Sequence, residues 1–537
     1  MPQTIIEEIE ASALRERLQQ SGELAFIDVR EAGEFGHGHA LLAANLPLSE
    51  LEVKAIRTIP RLSTPVIVQD QDGGSRAGHA IARLQQLGYS NLSLARGGVD
   101  SWQLAGYSLF QGVNVPSKAF SEWTELQAHT PAISAEQVYR WQQDGKPFLL
   151  LDGRTAQEFR QHHIPGAIHC PNAELVDWLV SQSLPDDLPV IITCAGRTRG
   201  IIGAQSLIDA GIRQPVAALA GGTQAWRIAG LPLNQNIEQS PTFEAGSTLV
   251  SVPAFPGDVI PSVSADEFDL WRNNPDMTTF LFDVRSPQEY RLGSLPGAIG
   301  VPGGQLIQTI DEHVATRGAR IVLFDPTGSR GRITAWWLYQ LGWSVSLYQG
   351  DNLPASEPVR QRSLDELFPG VTTLSAAAAL ASFTPEVQLL SADPSRYYLD
   401  HHIAGARWIN RAQLAQQAQQ LEADKPVWIF AAQTALAWAI AWDLQQDHGI
   451  QARVIRGDVT AWQQAGWSLA SDGQLSESQR IDFLFWLHDR HSGNLQASRD
   501  YLTWEAGLPA AIEREGLHGF RRLASPHHLL KPEEVSL

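Results

Sequence analysis

The residues Leu-Ala-Phe-Ile-Asp-Val-Arg at positions 24–30 return as Leu-Leu-Leu-Asp-Gly-Arg at 149–154 and as Phe-Leu-Phe-Asp-Val-Arg at 280–285. Each copy is a short apolar run that ends in Asp-x-Arg, and such a run predicts a buried β-strand. A weaker copy, Val-Gln-Leu-Leu-Ser-Ala-Asp at 387–393, has lost both polar signature residues. The chain therefore contains one unit four times.

Two further landmarks follow each copy in the same order. In the second copy these are the strand Pro-Val-Ile-Ile-Thr at 189–193, which leads into a polar loop, and the turn Gly221-Gly222, followed by Trp226. From the Asp of the first landmark to the first loop residue is 42 positions in three copies (28 to 70, 152 to 194, 283 to 325) and 40 in the fourth (391 to 431). This near-constant spacing indicates four copies of one domain.

Within a copy, strands alternate with helical patterns, which is typical of an α/β domain with a mostly parallel sheet and helices on both faces. We predict five strands in each sheet. The four tandem modules are predicted at residues 5–112, 130–235, 260–355 and 370–473.

The last part of the chain, residues 474–537, has a different pattern and is predicted to be a helical C-terminal segment. Ile481–His488 and Asn494–Ala506 have the spacing of amphipathic helices. Periodicity alone leaves open whether this segment packs against a module or against a second subunit.

The composition excludes several classes of function. The 537 residues include 40 Lys and Arg against 58 Asp and Glu, and the formal net charge of −18 disfavours nucleic acid and anionic membranes as partners. Two cysteines, Cys170 and Cys194, are too few for a disulfide scaffold or a cysteine-rich zinc site. The N-terminus lacks a signal-peptide pattern, and no apolar run approaches the roughly 18 residues of a membrane span, so we expect a cytoplasmic protein.

One loop of the second module has the residues of a reactive thiol site. A cysteine ends the strand, and a basic, glycine-containing turn leads from it into a helix. Backbone N–H groups and the helix N-terminus form an anion-binding cradle, and with two arginines they are expected to lower the cysteine pKa. The loop consists of Cys194, Ala195, Gly196, Arg197, Thr198 and Arg199.

The alternative interpretation of Cys194 is a small buried cysteine at a strand end, which is a common place for a free thiol. The basic turn after Cys194 favours the reactive thiol. Cys170, in Ala-Ile-His-Cys-Pro, follows an apolar strand with no such turn and is predicted to be structural.

With these motifs the chain resembles the rhodanese (sulfurtransferase) family over four modules, about residues 5–470. The resemblance rests on the Asp-x-Arg strands with a following Glu-Phe or Glu-Tyr, the run His-Ile-Pro-Gly-Ala at 163–167, the Cys194 loop, and the Gly-Gly turn with its tryptophan. The Glu-aromatic pairs are Glu34-Phe35, Glu158-Phe159 and Glu289-Tyr290. Within the family, the chain is similar to bacterial multidomain thiosulfate sulfurtransferases.

The resemblance implies a catalytic role for Cys194. Its thiolate would attack the outer sulfur of thiosulfate, release sulfite and retain a persulfide, which cyanide or a cellular thiol would then take up. Residues 195–199 would bind the substrate. A basic loop suits thiosulfate better than 3-mercaptopyruvate, the alternative donor. The four residues between Cys194 and Arg199 are one fewer than in the family's phosphatases. No cofactor is implied.

The other three loops lack a thiol. Asp70, Asp325 and Ala431 stand at the cysteine position, so these modules are predicted to be inactive in sulfur transfer. Asp70 and Asp72 could bind a cation or a basic partner, but a degenerate copy kept for packing is the favoured interpretation. We expect the first module to shield the Cys194 loop, and the third and fourth to form a second, silent pair.

Asp152, Arg154 and Glu158 are predicted to form a structural ion-pair and capping network that braces the loop, rather than to act in catalysis. His163, His401 and His402 have no acidic or cysteine partners at ligand spacing, so packing is favoured over a metal site.

Two hypotheses of function remain. The first is a sulfurtransferase that uses a small anionic donor and a thiol or cyanide acceptor, with a possible acceptor protein. The second is a persulfide carrier or scaffold, whose silent modules bind a partner.

Overall fold

The fold contains four parallel sheets with one strand order. The computed structural model describes residues 6–235, 259–350, 362–422, 424–485 and 493–523. Each sheet has the first strand of its module at one edge and the third at the other, which confirms the predicted α/β modules. The central strands are almost fully buried because helices cover both faces of the sheet.

Across each sheet, the first strand of the module is followed by its fifth, fourth, second and third strands. The first sheet has Glu7–Ile9, Leu92–Ala95, Val66–Gln69, Leu24–Asp28 and Ala44–Asn45. The second has Ala132–Ile133, Val216–Leu219, Val190–Thr193, Leu149–Asp152 and Ile168–His169. The third has Ser262–Ser264, Ser344–Gln349, Arg320–Phe324, Thr279–Asp283 and Ile299–Gly300. The fourth has Thr372–Ser375, Ala452–Arg456, Val427–Phe430, Gln388–Ser391 and Arg407–Trp408.

Among the described residues, two short antiparallel pairs form separate two-stranded sheets, and a third pair extends the first sheet. Asn234–Gln235 pairs with His162–His163, and Leu469–Ala470 pairs with His402–Ile403. Thr316–Arg317 of the third module pairs with the strand at Leu24 and Ala25, so the third module extends the sheet of the first.

The α-helices fill the connections between strands. In the first module they are Ala11–Gln19, Ala32–His37, Leu51–Thr58, Ser75–Leu87 and Gly98–Leu104, followed by the linker helix, Val115–Ala128. In the second they are Ala135–Gln143, Ala156–Gln161, Leu175–Ser181, Thr198–Asp209 and Gly222–Ile228. In the third they are Ala265–Arg272, Pro287–Leu292, Gly303–His313 and Ser329–Gln340. In the fourth they are Leu364–Leu367, Ala376–Ser382, Ser395–Asp400, Leu414–Gln417, Thr434–His448 and Val459–Gln464.

The second module packs against the third. The helices that follow their polar loops meet, and the indole Nε1 atoms of Trp336 and Trp337 donate hydrogen bonds to Asp209 (3.0 Å) and Ser206 (2.7 Å). One hydrophobic core runs through both modules.

The first module packs against the fourth through the corresponding helices. The buried Arg411 donates to Glu52 at 2.6 and 2.7 Å and to Asp443 at 2.7 Å. Arg83 also binds Asp443, and its guanidinium lies 3.4 Å from the ring centroid of Trp442. The expected pairing of the first module with the second and of the third with the fourth is therefore wrong. The buried polar and aromatic side chains on these helices have their partners in a module that is not the predicted one.

The C-terminal segment packs against the modules of the same chain. Its second predicted helix is longer than expected and runs over Leu495–Glu515 (the C-terminal helix), with the Asn494 side chain accepting a cap bond from the N–H of Ala497. It packs on the linker helix and on Gly222–Ile228. The first predicted helix, Ile481–His488, begins as a turn, and its last three residues lie outside the described residues.

Replacing Arg411 by Ala is expected to lower the free energy of unfolding by about 3–5 kcal/mol, because it removes the cation that two buried carboxylates share. Arg96→Ala is the matched control, because Arg96 forms an exposed ion pair with Glu10 at 2.6 Å, worth less than about 1 kcal/mol. Urea unfolding measures both. Equal losses in the two variants would contradict the prediction.

Candidate active site at the Cys194 loop

Cys194 lies at the carboxyl end of a central strand, Val190–Thr193, and four residues before the helix Thr198–Asp209. Its side chain is only 2% exposed. Its Sγ accepts a hydrogen bond from the backbone N–H of Gly200 at 3.2 Å. The thiol therefore sits where the N-terminus of the helix favours a negative charge.

The pKa of Cys194 does not follow the sequence-based expectation. Burial raises the pKa of the thiol above its usual range, and the guanidinium of Arg199 and the N–H of Gly200 lower it only in part. The carboxylate of Glu505 raises it further. The predicted lowering is therefore wrong, because a motif read along the chain does not show what covers the loop.

In the first module a carboxylate occupies the position of the thiol. Asp70, at the cysteine position, accepts hydrogen bonds from the N–H groups of Gly73 and Gly74 at 2.6 and 3.1 Å through one carboxylate oxygen. Its other oxygen accepts from the N–H of Ala77 at 2.8 Å. A buried negative charge thus sits in a cradle of backbone donors.

The third module repeats this arrangement with Asp325. Its oxygens accept from the N–H of Thr327 at 3.2 Å and from the N–H of Gly331 at 3.0 Å. Gly331 follows Asp325 by six residues, as Gly200 follows Cys194. In the second module the same backbone donor therefore faces a sulfur atom instead of a carboxylate.

The two arginines of the loop are bound to carboxylates. Arg199 donates to both oxygens of Glu158 at 2.6 and 2.7 Å, while Arg197 donates to Glu122 of the linker helix at 2.7 and 2.9 Å and also binds Glu125. Burial opposes the charge on Glu158, but Arg199 outweighs it and holds the pKa of Glu158 at about 2. Much of the positive charge expected for an anionic donor is therefore already neutralised.

The predicted support residues belong to two separate ion pairs, Asp152 with Arg154 and Glu158 with Arg199. Arg154 donates to Asp152 through Nε (2.9 Å) and Nη2 (2.7 Å), and both are buried. Glu158 forms a capping box with Thr155 and binds Arg199. The first and third modules contain the same chain of contacts, with Arg76 on Glu34 and Arg330 on Glu289. Both ion pairs thus occur whether or not a thiol is present, and the second of them reaches the loop.

The Gly-Gly turn, a landmark of the repeat in the sequence, holds the loop in place. The N–H groups of Thr223 and Gln224 donate to the carbonyl oxygens of Cys194 (2.8 Å) and Ala195 (3.1 Å). Gly222 has φ of +53°, and a Cβ there would lie 2.4 Å from the carbonyl oxygen of Cys194. Only glycine fits this close approach.

Three further side chains of the site were missed. Tyr501 and Glu505 of the C-terminal helix are buried against Gly196 and Thr198, and no signal along the chain connects them to the loop. Gln224 lies two residues after Gly222 and is also buried, and neither its Nε2 nor its Oε1 has a hydrogen-bond partner among the described residues. A buried amide of this kind is suited to bind a ligand.

One group of side chains in the described part of the chain could offer ligands to a metal ion, namely His79, Asp443 and Asp447. Asp443 already accepts hydrogen bonds from Arg83 and Arg411, so this group belongs to the ion-pair network between the first and fourth modules. His163 and His402 instead stack on Phe159 and Tyr398.

The model of the rhodanese-like domain matches residues 10–105, 134–229 and 264–352, together more than half of the chain. The chain belongs to the rhodanese family. The fourth module, outside these matches, has the same strand order.

A solved structure has a similar architecture over nearly the whole chain. The crystal structure of a thiosulfate sulfurtransferase from Pseudomonas aeruginosa is 36% identical, with a TM-score of 0.89 over 97% of this chain and 100% of that one. Among the curated relatives, a helix-turn-helix transcriptional regulator of Mycobacterium tuberculosis is 33% identical over 104 residues, 19% of this chain and 45% of that protein. The thiosulfate sulfurtransferase GlpE of Pseudomonas savastanoi is 30% identical over 95 residues, 18% of this chain and 85% of that protein.

The chain thus spans less than half the length of that regulator. Within the described residues, no helix has the combination of length and apolar character that crossing a bilayer requires.

Gly222→Ala is expected to displace the Cys194 loop and to lower the rate of Cys194 alkylation or the melting temperature, because the new Cβ would overlap a loop carbonyl. Gly230→Ala is the matched control, since Gly230 also has a positive φ, +72°, but its Cβ would meet no atom within 4 Å. Equal effects would show that the positive φ alone, and not the close approach, matters.

The rate of Cys194 alkylation by iodoacetamide is expected to increase with pH and to keep increasing above about pH 8.5, the ordinary pKa of a cysteine. Only the thiolate reacts, and a raised pKa moves its formation to higher pH. Mass spectrometry of the modified Cys194 peptide measures the rate. A plateau below pH 7 would contradict the raised pKa.

Proposed function

We propose that the protein is a sulfurtransferase that moves sulfane sulfur from thiosulfate to a thiophilic acceptor through a persulfide on Cys194. One observation carries the proposal: Cys194 occupies the loop position at which Asp70 and Asp325 hold a negative charge in cradles of backbone N–H groups. A cradle that accepts a carboxylate also suits a thiolate or a persulfide anion.

In the first half-reaction the thiolate of Cys194 attacks the outer sulfur of thiosulfate. A new S–S bond forms, the S–S bond of thiosulfate breaks, and sulfite leaves with that electron pair. In the second half-reaction cyanide or a thiolate attacks the outer sulfur of the persulfide, and the thiolate of Cys194 leaves. This is covalent catalysis of the ping-pong type.

The residues around Cys194 would have different roles in the reaction. The N–H of Gly200, with backbone donors of residues 195–199, would stabilise the sulfur anion. The amide of Gln224 would bind the donor. Glu158 would hold the loop through Arg199, and the ion pair of Asp152 with Arg154 would fix the end of the neighbouring strand, without touching the substrate.

The other three modules would not transfer sulfur. Asp70 and Asp325 fill their own cradles, and Ala431 offers no nucleophile. Their role would be structural, since the third module braces the second and the fourth braces the first.

A persulfide carrier or scaffold is the second candidate function. The burial of Cys194 and the ion-paired state of Arg197 and Arg199 favour it, because both would slow turnover of a small dianion. A singly charged donor such as 3-mercaptopyruvate is the alternative substrate. We also propose a cytoplasmic location, where the two free cysteines would stay reduced.

Incubation of the full chain with thiosulfate is expected to add one sulfur atom to Cys194, because sulfite leaves and the persulfide remains in the cradle. Intact-mass measurement followed by peptide mapping detects the added sulfur. Subsequent addition of cyanide is expected to remove it. A chain that gains no sulfur would contradict both the transferase and the carrier.

Cys194→Ala is expected to abolish the release of sulfite from thiosulfate and cyanide, because it removes the nucleophile. Cys170→Ser is the matched control, since the Cys170 thiol is fully buried and lies outside the loop, and it is expected to keep most of the activity. Turnover in Cys194→Ala at the wild-type rate would exclude the proposed mechanism.

A further inference from the structure

The C-terminal helix forms one wall of the Cys194 site. Its side chains Tyr501 and Glu505 are 3% and 1% exposed. The hydroxyl of Thr198 donates to Glu505 Oε1 at 3.3 Å, and the hydroxyl of Tyr501 donates to the same oxygen at 2.9 Å. A Cβ on Gly196 would lie 3.1 Å from Glu505 Oε2 and 3.5 Å from the Tyr501 ring. The glycine of the loop therefore makes room for this wall.

The carboxylate of Glu505 takes a hydrogen bond that a substrate oxygen would need. Thr198 begins the helix after the loop, so its hydroxyl belongs to the donors that face an incoming anion. In the first and third modules a carboxylate also sits in the loop, but it comes from the loop itself. In the second module it comes from a separate helix, and the loop position itself is occupied by Cys194.

We propose that Glu505 and Tyr501 determine the specificity of the Cys194 site, with the Glu505 carboxylate standing where an oxyanion of the sulfur donor would bind. A donor must displace this carboxylate, so the charge of Glu505 slows the reaction of doubly charged thiosulfate more than that of singly charged donors. The inference rests on the proposed sulfur transfer and names the class of donor that the wall favours.

The C-terminal helix contains a proline at which its first half can bend away from the Cys194 loop. Pro509 lies inside the helix and has no N–H to donate to the carbonyl oxygen of Glu505, four residues earlier. Beyond Pro509 the helix is anchored: Ile512 is buried in the large core, and Glu515 binds Arg15 and the N–H of Ser108.

Before Pro509 the helix is held in part by a small separate cluster. Tyr501 packs with Leu484 there, and Leu502 adds a partly buried side chain, whereas Leu508, next to the proline, is buried in the large core. Displacement of Glu505 therefore requires bending near Pro509 rather than unfolding of the whole helix.

Two alkylating reagents of similar size test the proposal on the full chain, neutral iodoacetamide and anionic iodoacetate. Glu505→Gln is expected to raise the rate constant of Cys194 alkylation by iodoacetate about tenfold and that by iodoacetamide about threefold at most, because only the first reagent meets the lost charge. Asp500→Asn is the matched control, since Asp500 lies on the same half of the helix but is exposed. It is expected to change neither rate more than about twofold.

The same variants extend the test to sulfur donors. Glu505→Gln is expected to raise kcat/KM for thiosulfate about tenfold and for benzenethiosulfonate, a singly charged donor, about threefold at most. An unchanged ratio of iodoacetate to iodoacetamide rates in a folded Glu505→Gln variant overturns the role of the charge. If the ratio shifts but no persulfide forms in the wild type, the Glu505 charge still controls the access of anions to Cys194, and the proposed function fails together with the assignment of a sulfur donor.

A second variant keeps the test decisive if Glu505→Gln does not fold. Pro509→Ala restores the missing backbone donor and is expected to slow alkylation by both reagents about threefold, because the helix bends less easily. Alkylation of Pro509→Ala at the wild-type rate overturns the bending step.

Discussion

A hydrogen-bond acceptor held by backbone N–H groups at the end of a buried strand is the constraint on which each of the first three modules depends. A parallel strand ends, the chain turns, and a helix begins, so several N–H groups point at one spot without partners of their own. Asp70 and Asp325 fill that spot with a carboxylate, and Cys194 fills it with sulfur. The Asp-x-Arg strand end, the glutamate after it and the loop arginine surround the spot in the same way in each module. A change of one residue type thus separates a loop that holds a carboxylate from one that holds a thiol.

The fold could be predicted from the sequence because its determinants are local. Apolar runs ending in Asp-x-Arg and the 42-residue spacing specify strands and loops within one module, and three of the four copies retain them. The pairing of modules could not be predicted in this way. It depends on side chains such as Trp336, Trp337 and Arg411, which find Asp209, Ser206 and Glu52 in another module. A tryptophan in an amphipathic helix predicts burial, but it does not indicate which module provides the surface that covers it.

The candidate site shows the same limit. The loop from Cys194 to Arg199 and its support by Asp152, Arg154 and Glu158 follow from motifs that are close in sequence or repeated between copies. The Gly-Gly turn is recognisable in the sequence as a repeated landmark, but its hydrogen bonds to the Cys194 loop are seen only in the structure. Glu505 and Tyr501 lie in a segment without any repeat, so nothing in the sequence assigned them to the loop. The pKa expected for Cys194 is wrong because burial outweighs the local positive charge, and the carboxylate of Glu505, on a helix distant in sequence, raises the pKa further.

The first module packs against the fourth and the second against the third, and this arrangement has a consequence for how the protein is made. During synthesis from the N-terminus, the second and third modules can meet as soon as both have left the ribosome, whereas the first must wait for the fourth. Until then the buried side chains of the first module that face the fourth, Glu52 and Arg83, remain in water. The C-terminal helix follows all four modules in the chain and packs against the Cys194 loop. The face of the loop that Tyr501 and Glu505 cover is therefore open to the surrounding solution until this helix has been synthesised.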